Sequence, residues 1–192
     1  MGRRGRVRGI GRRDASVDAT GFESRYISRH FLHRSGRMKQ YRPFVKFSAC
    51  VDHTRHLILG LHGMRGPSND ASAFEPVVRQ ASRHATIDRL MADAAYDAES
   101  FHVLCRDTLG IGDTLIAIND RGHPDAVPKT KYRREMFERL PQHDFNQRWH
   151  CESTFSQIKR RLGAALTARS HPGRLREISW LAITHNLMIL AP

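Results

Sequence analysis

Three acids, Asp18, Asp93 and Glu152, and two cations, Arg148 and Lys159, are the residues of this 192-residue chain whose types and spacing could do chemistry together. Asp18 and Asp93 each close a segment that reads as a strand, 15–19 (ASVDA) and 87–92 (IDRLMA), with 74 residues between the two acids. Glu152 follows after another 58, within FNQRWHCESTFSQIKRRL at 145–162. Carboxylates are hard oxygen donors that neutralise divalent cations, and phosphoryl transfer without a protein nucleophile uses two such ions about 4 Å apart. Acids on two strand ends and a facing helix can converge on that point although they are distant in sequence. Each also has a plain structural reading, because an aspartate at a strand end is commonly a turn or cap residue. Asp14, Asp52, Asp70 and Asp97 all admit that reading: Asp70 and Asp97 start helices and Asp52 opens a hairpin turn.

The segment 145–162 reads as one helix. At about 100° per residue, Phe145, Arg148, Glu152 and Lys159 fall within about 60° of one another. Beside that stripe lies an apolar one, Cys151, Phe155, Ile158 and Leu162, expected to face the core. The opposite arc, Asn146, His150, Thr154, Gln157 and Arg161, is expected to face solvent. Asp144 stands where an N-cap belongs, with Gln147 closing a capping box, and Gly163 supplies a stop. A glutamate between two cations at the edge of a buried face is either a salt-bridged surface residue or a metal ligand flanked by phosphate-binding cations. Trp149, at the rim of the stripe, either packs into the core or stacks on an unpaired base.

The elements that must position these residues follow from periodicity. Strands are expected at 15–19, 43–51 (PFVKFSACV) and 56–61 (HLILGL), the last two joined by the turn at Asp52-His53-Thr54. A helix capped by Asp70 or Ser68 runs to about His84 with Ala73, Phe74, Val77, Val78 and Ala81 buried. The strand at 87–92 runs into Asp93, and Asp97 caps a helix to about Leu109. A fifth strand covers 114–118, 129–139 is basic and partly helical, and Pro172-Gly173 break the chain before a last helix at 174–190. That helix is expected to bury Ile178, Leu181, Ala182, His185, Leu187 and Met188. Three strands, then helix, strand, helix, strand and two helices is the order of an α/β, ribonuclease H-like fold, a mixed five-stranded sheet flanked by helices.

Charge restricts the class of partner. The 32 Lys and Arg against 19 acids give +13, with pI near 10.7. Six arginines fall in residues 1–13 without an acid, so residues 14–192 still carry +7. Residues 1–13 read as a disordered basic arm and 14–192 as one domain. Such an excess favours polyanions, and nucleic acid first. Three scattered cysteines without a C-x-x-C argue against a disulfide framework or a zinc finger and for a reducing cytoplasm. The twelve histidines, including His53, His56 and His62 around one hairpin, lack ligand sets at recognised zinc spacing and read as structural or solvent-facing. No apolar run is long enough to span a membrane.

Asp18 in VDATGFES, Asp93 in ADAAYDAES, Glu152 in FNQRWHCESTFSQIKRRLG and the C-terminal HNLMIL together resemble the catalytic domain of DDE transposases of bacterial insertion-sequence elements, of the families four and five type. That group's signature places tyrosine, arginine, glutamate and lysine where this chain has Phe145, Arg148, Glu152 and Lys159. The resemblance covers about 15–190. It implies a transposase catalysing metal-dependent DNA cleavage and strand transfer, with Asp18, Asp93 and Glu152 as ligands to two Mg²⁺ or Mn²⁺ ions. It further implies Arg148 and Lys159 on the phosphates of the element's ends, double-stranded DNA as partner, a homodimer, and a bacterial cytoplasmic setting. Phenylalanine at 145 keeps the ring of the signature tyrosine and loses its hydroxyl. The lead-in before Asp18 is shorter than in relatives that carry an end-recognising N-terminal segment, as expected of a truncated copy or the downstream frame of a frameshifted element. The competing readings are a non-catalytic DNA-binding remnant and a ribonuclease H-like nuclease that cuts without strand transfer.

Overall fold

The computed structural model describes residues 13–25, 44–119, 127–139 and 149–191. The basic arm up to Arg12, and the start of the segment 145–162, including Phe145 and Arg148, lie outside the described residues.

The sheet has six strands, with β1 (Asp14–Ser24), β2 (Phe44–Asp52), β3 (Ile58–Arg65), β4 (Arg89–Ala92) and β5 (Asp113–Ile116) in spatial order β3-β2-β1-β4-β5. β1 pairs antiparallel with β2, and β2 with β3, while β1, β4 and β5 run parallel. This mixed α/β sheet is ribonuclease H-like, as its sequence order implies. β1 is six residues longer than expected, so Asp18 lies inside it rather than closing it, and it gains a second parallel partner, the two-residue β6 (Ala165–Leu166), at its far end. Two residues are too few to leave a periodic signal.

Side chains alternate across a strand, and β1 divides the core accordingly. Ala15 and Val17 face a cluster built with α1 (Ala71–His84) and the segment after β4, including Phe74, Val77, Tyr96 and Cys105. Phe22 faces the other way, onto α4 (Trp149–Leu162) and α5 (His171–Leu190), where it meets Phe47, Phe155, Ile158 and Ile178. A smaller cluster of Met91, Leu115 and Met136 seats α3 (Lys131–Arg139). Gly60 lets α1 approach β3, since a Cβ there would lie 2.3 Å from the Val77 carbonyl oxygen. The outer edge of β3 is closed by α5, whose Asn186 accepts from the Ile58 amide and donates to its carbonyl, each at 2.8 Å, so the edge offers fewer free backbone groups.

Four expectations are corrected. Asp97 caps no helix: Ala98 precedes α2 (Glu99–Val103), and Asp97 is buried in a two-pronged ion pair with Arg133, both bonds 2.7 Å. Asp93 takes a capping role instead, accepting from the Ala95 amide at 2.9 Å over a single 3₁₀ turn, Ala94–Tyr96. α5 starts three residues earlier than expected, because Ser170 caps it and Pro172 sits in the first turn, where no amide is needed. On α5, Ile178, Ala182 and His185 are buried as expected, whereas Leu187 (63% exposed) and Met188 (42%) are not, since that helix packs along one side only. Thr154 is wholly buried rather than solvated, because the turn after β2 covers that side of α4 as well as the sheet; His56 Nδ1 lies 3.3 Å from its hydroxyl. No helix among the described residues is long and apolar enough to cross a membrane.

Candidate metal and nucleic-acid site

Register brings Asp18 and Asp93 side by side. Val17 pairs with Ala92 where β1 and β4 run parallel, so the two aspartates follow at equivalent positions on neighbouring strands, about 5 Å apart backbone to backbone. Asp18 shares the parity of Ser16 and Phe22 and stands on the α4 face of the sheet. Asp93, still extended at φ −82°, ψ 179°, continues the parity of Met91 and points to the same side, away from the α1 cluster. Both are half-buried. Both also act on one neighbour: burial pushes the Tyr96 hydroxyl above its ordinary range, and the charges of Asp70, Asp18 and Asp93 add to the effect. That hydroxyl is buried with no hydrogen-bond partner among the described residues.

α4 is docked over this pair by two contacts to β1. Near its start, the Cys151 thiol donates to the Ser16 carbonyl at 3.3 Å. Near its end, Lys159 Nζ donates to Thr20 Oγ1 at 2.6 Å and lies 5.3 Å from the centre of the Phe22 ring. Positions 151 to 159 rise about 12 Å along a helix, and 16 to 20 about 13 Å along a strand. The two elements therefore run in step, with Asp18 and Glu152 between the anchors. Cys151, Phe155 and Ile158 are buried and Leu162 is partly so, as periodicity implies; Gly163, at φ +109°, ends the helix in a conformation that favours glycine. Glu152 is exposed.

Lys159 faces the sheet and is half-buried, and burial lowers its pKa below the usual lysine range. Trp149 is 52% exposed, so it is no core residue; its ring stacks on His150 at 4.0 Å and lies 6.1 Å from that of His56. Arg160 and Arg161 are exposed, and neither they nor Lys159 has a carboxylate within ion-pair distance among the described residues.

The donor chemistry of the paired aspartates suits a hard divalent cation. Closure of the set is incomplete: among the described residues no group of three or more His, Cys, Asp or Glu side chains converges closely enough to hold a metal ion. Two aspartates are brought together and the glutamate stands on the helix above them.

Sequence reasoning missed Ser16, Thr20, His53 and Tyr96. Ser16 and Thr20 lie two residues either side of Asp18, so a period-two reading of a longer β1 marks them. Nothing in the sequence marks His53, which meets Ser16 and α4 only through the hairpin turn.

The family description "Transposase DDE domain" matches residues 10–187, and no curated protein matches the chain.

Proposed function

The chain belongs to the transposase DDE-domain family, and from that premise we propose that it cleaves DNA at the ends of an insertion-sequence element and joins the freed ends to target DNA, using Mg²⁺ or Mn²⁺. The observation that carries the reading is the pairing of Asp18, inside the central strand β1, with Asp93, just past the end of the adjacent parallel strand β4, on the face where α4 is docked.

Asp18 and Asp93 would hold the two cations, with Glu152 completing the set from α4. Bound there, the cations would neutralise charge at the attacked phosphate and acidify the attacking water. The chain's own contribution is positional: β1 and β4 fix the aspartates to the sheet, and the docked helix limits where Glu152 can stand. In the first step a water oxygen bonds to phosphorus and the 3′ oxygen leaves with a proton, giving a 5′-phosphate and a free 3′-hydroxyl. In the second, that hydroxyl attacks a target phosphodiester, one P–O bond forming as another breaks, so no external energy source is required. Lys159 and Arg148 would contact backbone phosphates. Trp149, half exposed, would stack on an unpaired base, and Phe145 would add a DNA contact.

The test is cleavage of duplexes ending in the DNA that borders the coding sequence. Wild type should nick them only with Mg²⁺ or Mn²⁺, and Asp93→Asn should fall by about a thousandfold or more. Binding without cleavage by wild type would identify a non-catalytic remnant. Cleavage without joining would identify a nuclease.

A further inference from the structure

The geometry points to His53 as a positioning residue that sets where Glu152 stands relative to Asp18 and Asp93, by bonding to the strand that carries one acid and stacking on the helix that carries another. The inference rests on the carboxylate reading above.

His53 is 8% exposed and reaches both elements at once. Its Nε2 lies 2.5 Å from the hydroxyl of Ser16, which is fully buried on the central strand two residues before Asp18 and on the same face. Its ring lies flat against His150, centroids 4.4 Å apart and planes 19° from parallel, two residues before Glu152. The backbone of His53 is also fixed, its amide donating to the Asp14 carbonyl at 3.0 Å. The imidazole therefore leaves the end of β2 from a rigid base tied to β1 and ends against the first turn of α4.

That first turn needs a fixed partner. His150 Nδ1 is buried and finds no hydrogen-bond partner among the described residues, so ring contacts hold its orientation: His53 on one side, Trp149 at 4.0 Å, and His56 at 5.0 Å. The direct link at that turn, the Cys151 thiol to the Ser16 carbonyl, is a weak sulfur contact and on its own resists a small roll of the first turn only weakly. A roll of about 10° moves a glutamate oxygen by about 1 Å at its distance from the helix axis, and misplacement of that size can cost on the order of 100-fold in rate. His53 opposes the roll because its stack is broad and its nitrogen is tied to the strand. A phenylalanine would fill the same space and stack as well, without the tie.

Ser16→Ala and His53→Phe separate positioning from packing. Each removes the nitrogen–hydroxyl bond, and His53→Phe keeps a ring against His150. On a duplex carrying an element end, each should lower kcat by about tenfold or more while KM for DNA stays within about twofold, and the double variant should lose no more than either single one. Mn²⁺ binding by the DNA-free protein, followed by electron paramagnetic resonance, should weaken by about fivefold or more in both. Ser16→Ala carries the test should His53→Phe fold poorly. Unchanged kcat and unchanged Mn²⁺ affinity in a folded Ser16→Ala would overturn the positioning role, as would additive losses in the double variant. Glu152→Gln run alongside distinguishes the two failures. If wild type binds Mn²⁺ and cleaves only with Glu152 intact, silence of Ser16→Ala removes His53 alone; otherwise the carboxylate reading falls, and this inference with it.

Discussion

Two basic helices flank the sheet, and they use their cations in opposite ways. In α3, Arg133 grips Asp97 with two bonds of 2.7 Å, and Arg139 pairs with both Asp113, at 2.8 Å, and Glu135. Arg106 adds a further bond of 2.8 Å to Glu135. In α4, Lys159, Arg160 and Arg161 meet no carboxylate among the described residues; Lys159 bonds a threonine hydroxyl, and Arg160 the Ser156 carbonyl. Charges consumed inside the protein organise it, and those left over are available to a polyanion. Local charge content therefore says little about where nucleic acid binds; the distribution of acids around it decides.

That contrast is open to attack in four places. The largest stability effect belongs to Arg133→Ala. It strands Asp97, whose side chain is wholly buried, and should cost roughly 3 kcal/mol or more, seen as a lower urea midpoint, with the salt dependence of DNA binding unchanged. Arg139→Ala should cost less, about 1 kcal/mol, because its pairs are partly exposed and screened. On α4 the expectation reverses. Lys159→Ala should lower the log–log salt slope of duplex binding by about 0.9 with little loss of stability, while Arg161→Ala, exposed on the solvated arc, should change it less. Equal slopes would mean that the helix binds through its bulk charge alone.

The smallest effect is the response to acid. His185 is held below the ordinary histidine range by burial, its bond to the His56 carbonyl only partly offsetting this. Its folded pKa is thus depressed. Below about pH 6.5 the unfolded chain takes up a proton that the folded one resists. Stability from this side should decline as pH falls from there, and His185→Gln should flatten that part of a thermal-midpoint profile. For Asp113, burial raises and the Arg139 guanidinium lowers the pKa, with the guanidinium prevailing. Its stabilising share is full above the ordinary carboxylate range and is lost only as pH falls below about 4.

The fold was legible because its elements are periodic. Alternation marked β2 and β3, and the 3.6-residue stripe of Cys151, Phe155 and Ile158 predicted which side of α4 is buried. What escaped was whatever depends on a distant partner. Thr154 looks solvated until the turn after β2 covers it. Trp149 looks like core, yet its position at the start of α4 leaves it exposed. Asp97 looks like a cap because Arg133, its true partner, lies 36 residues on. For the candidate site, the residue types and the strand end before Asp93 could be read from the sequence; the place of Asp18 inside a longer β1 could not. The register that sets Val17 against Ala92, and so Asp18 beside Asp93, could not, because nothing local specifies it. His53 was invisible for the same reason.

The central claim is that the carboxylates of Asp18, Asp93 and Glu152 do chemistry while the cations of α4 hold DNA. Glu152→Gln tests it most directly: the change is nearly isosteric, lies on an exposed position of α4, and leaves the cations in place. Binding and Mg²⁺-dependent cleavage of one end-bearing duplex are measured in parallel for the variant and wild type. The account predicts binding within about twofold of wild type and cleavage reduced by about a thousandfold or more. Cleavage at the wild-type rate by a Glu152→Gln protein that still binds would contradict it.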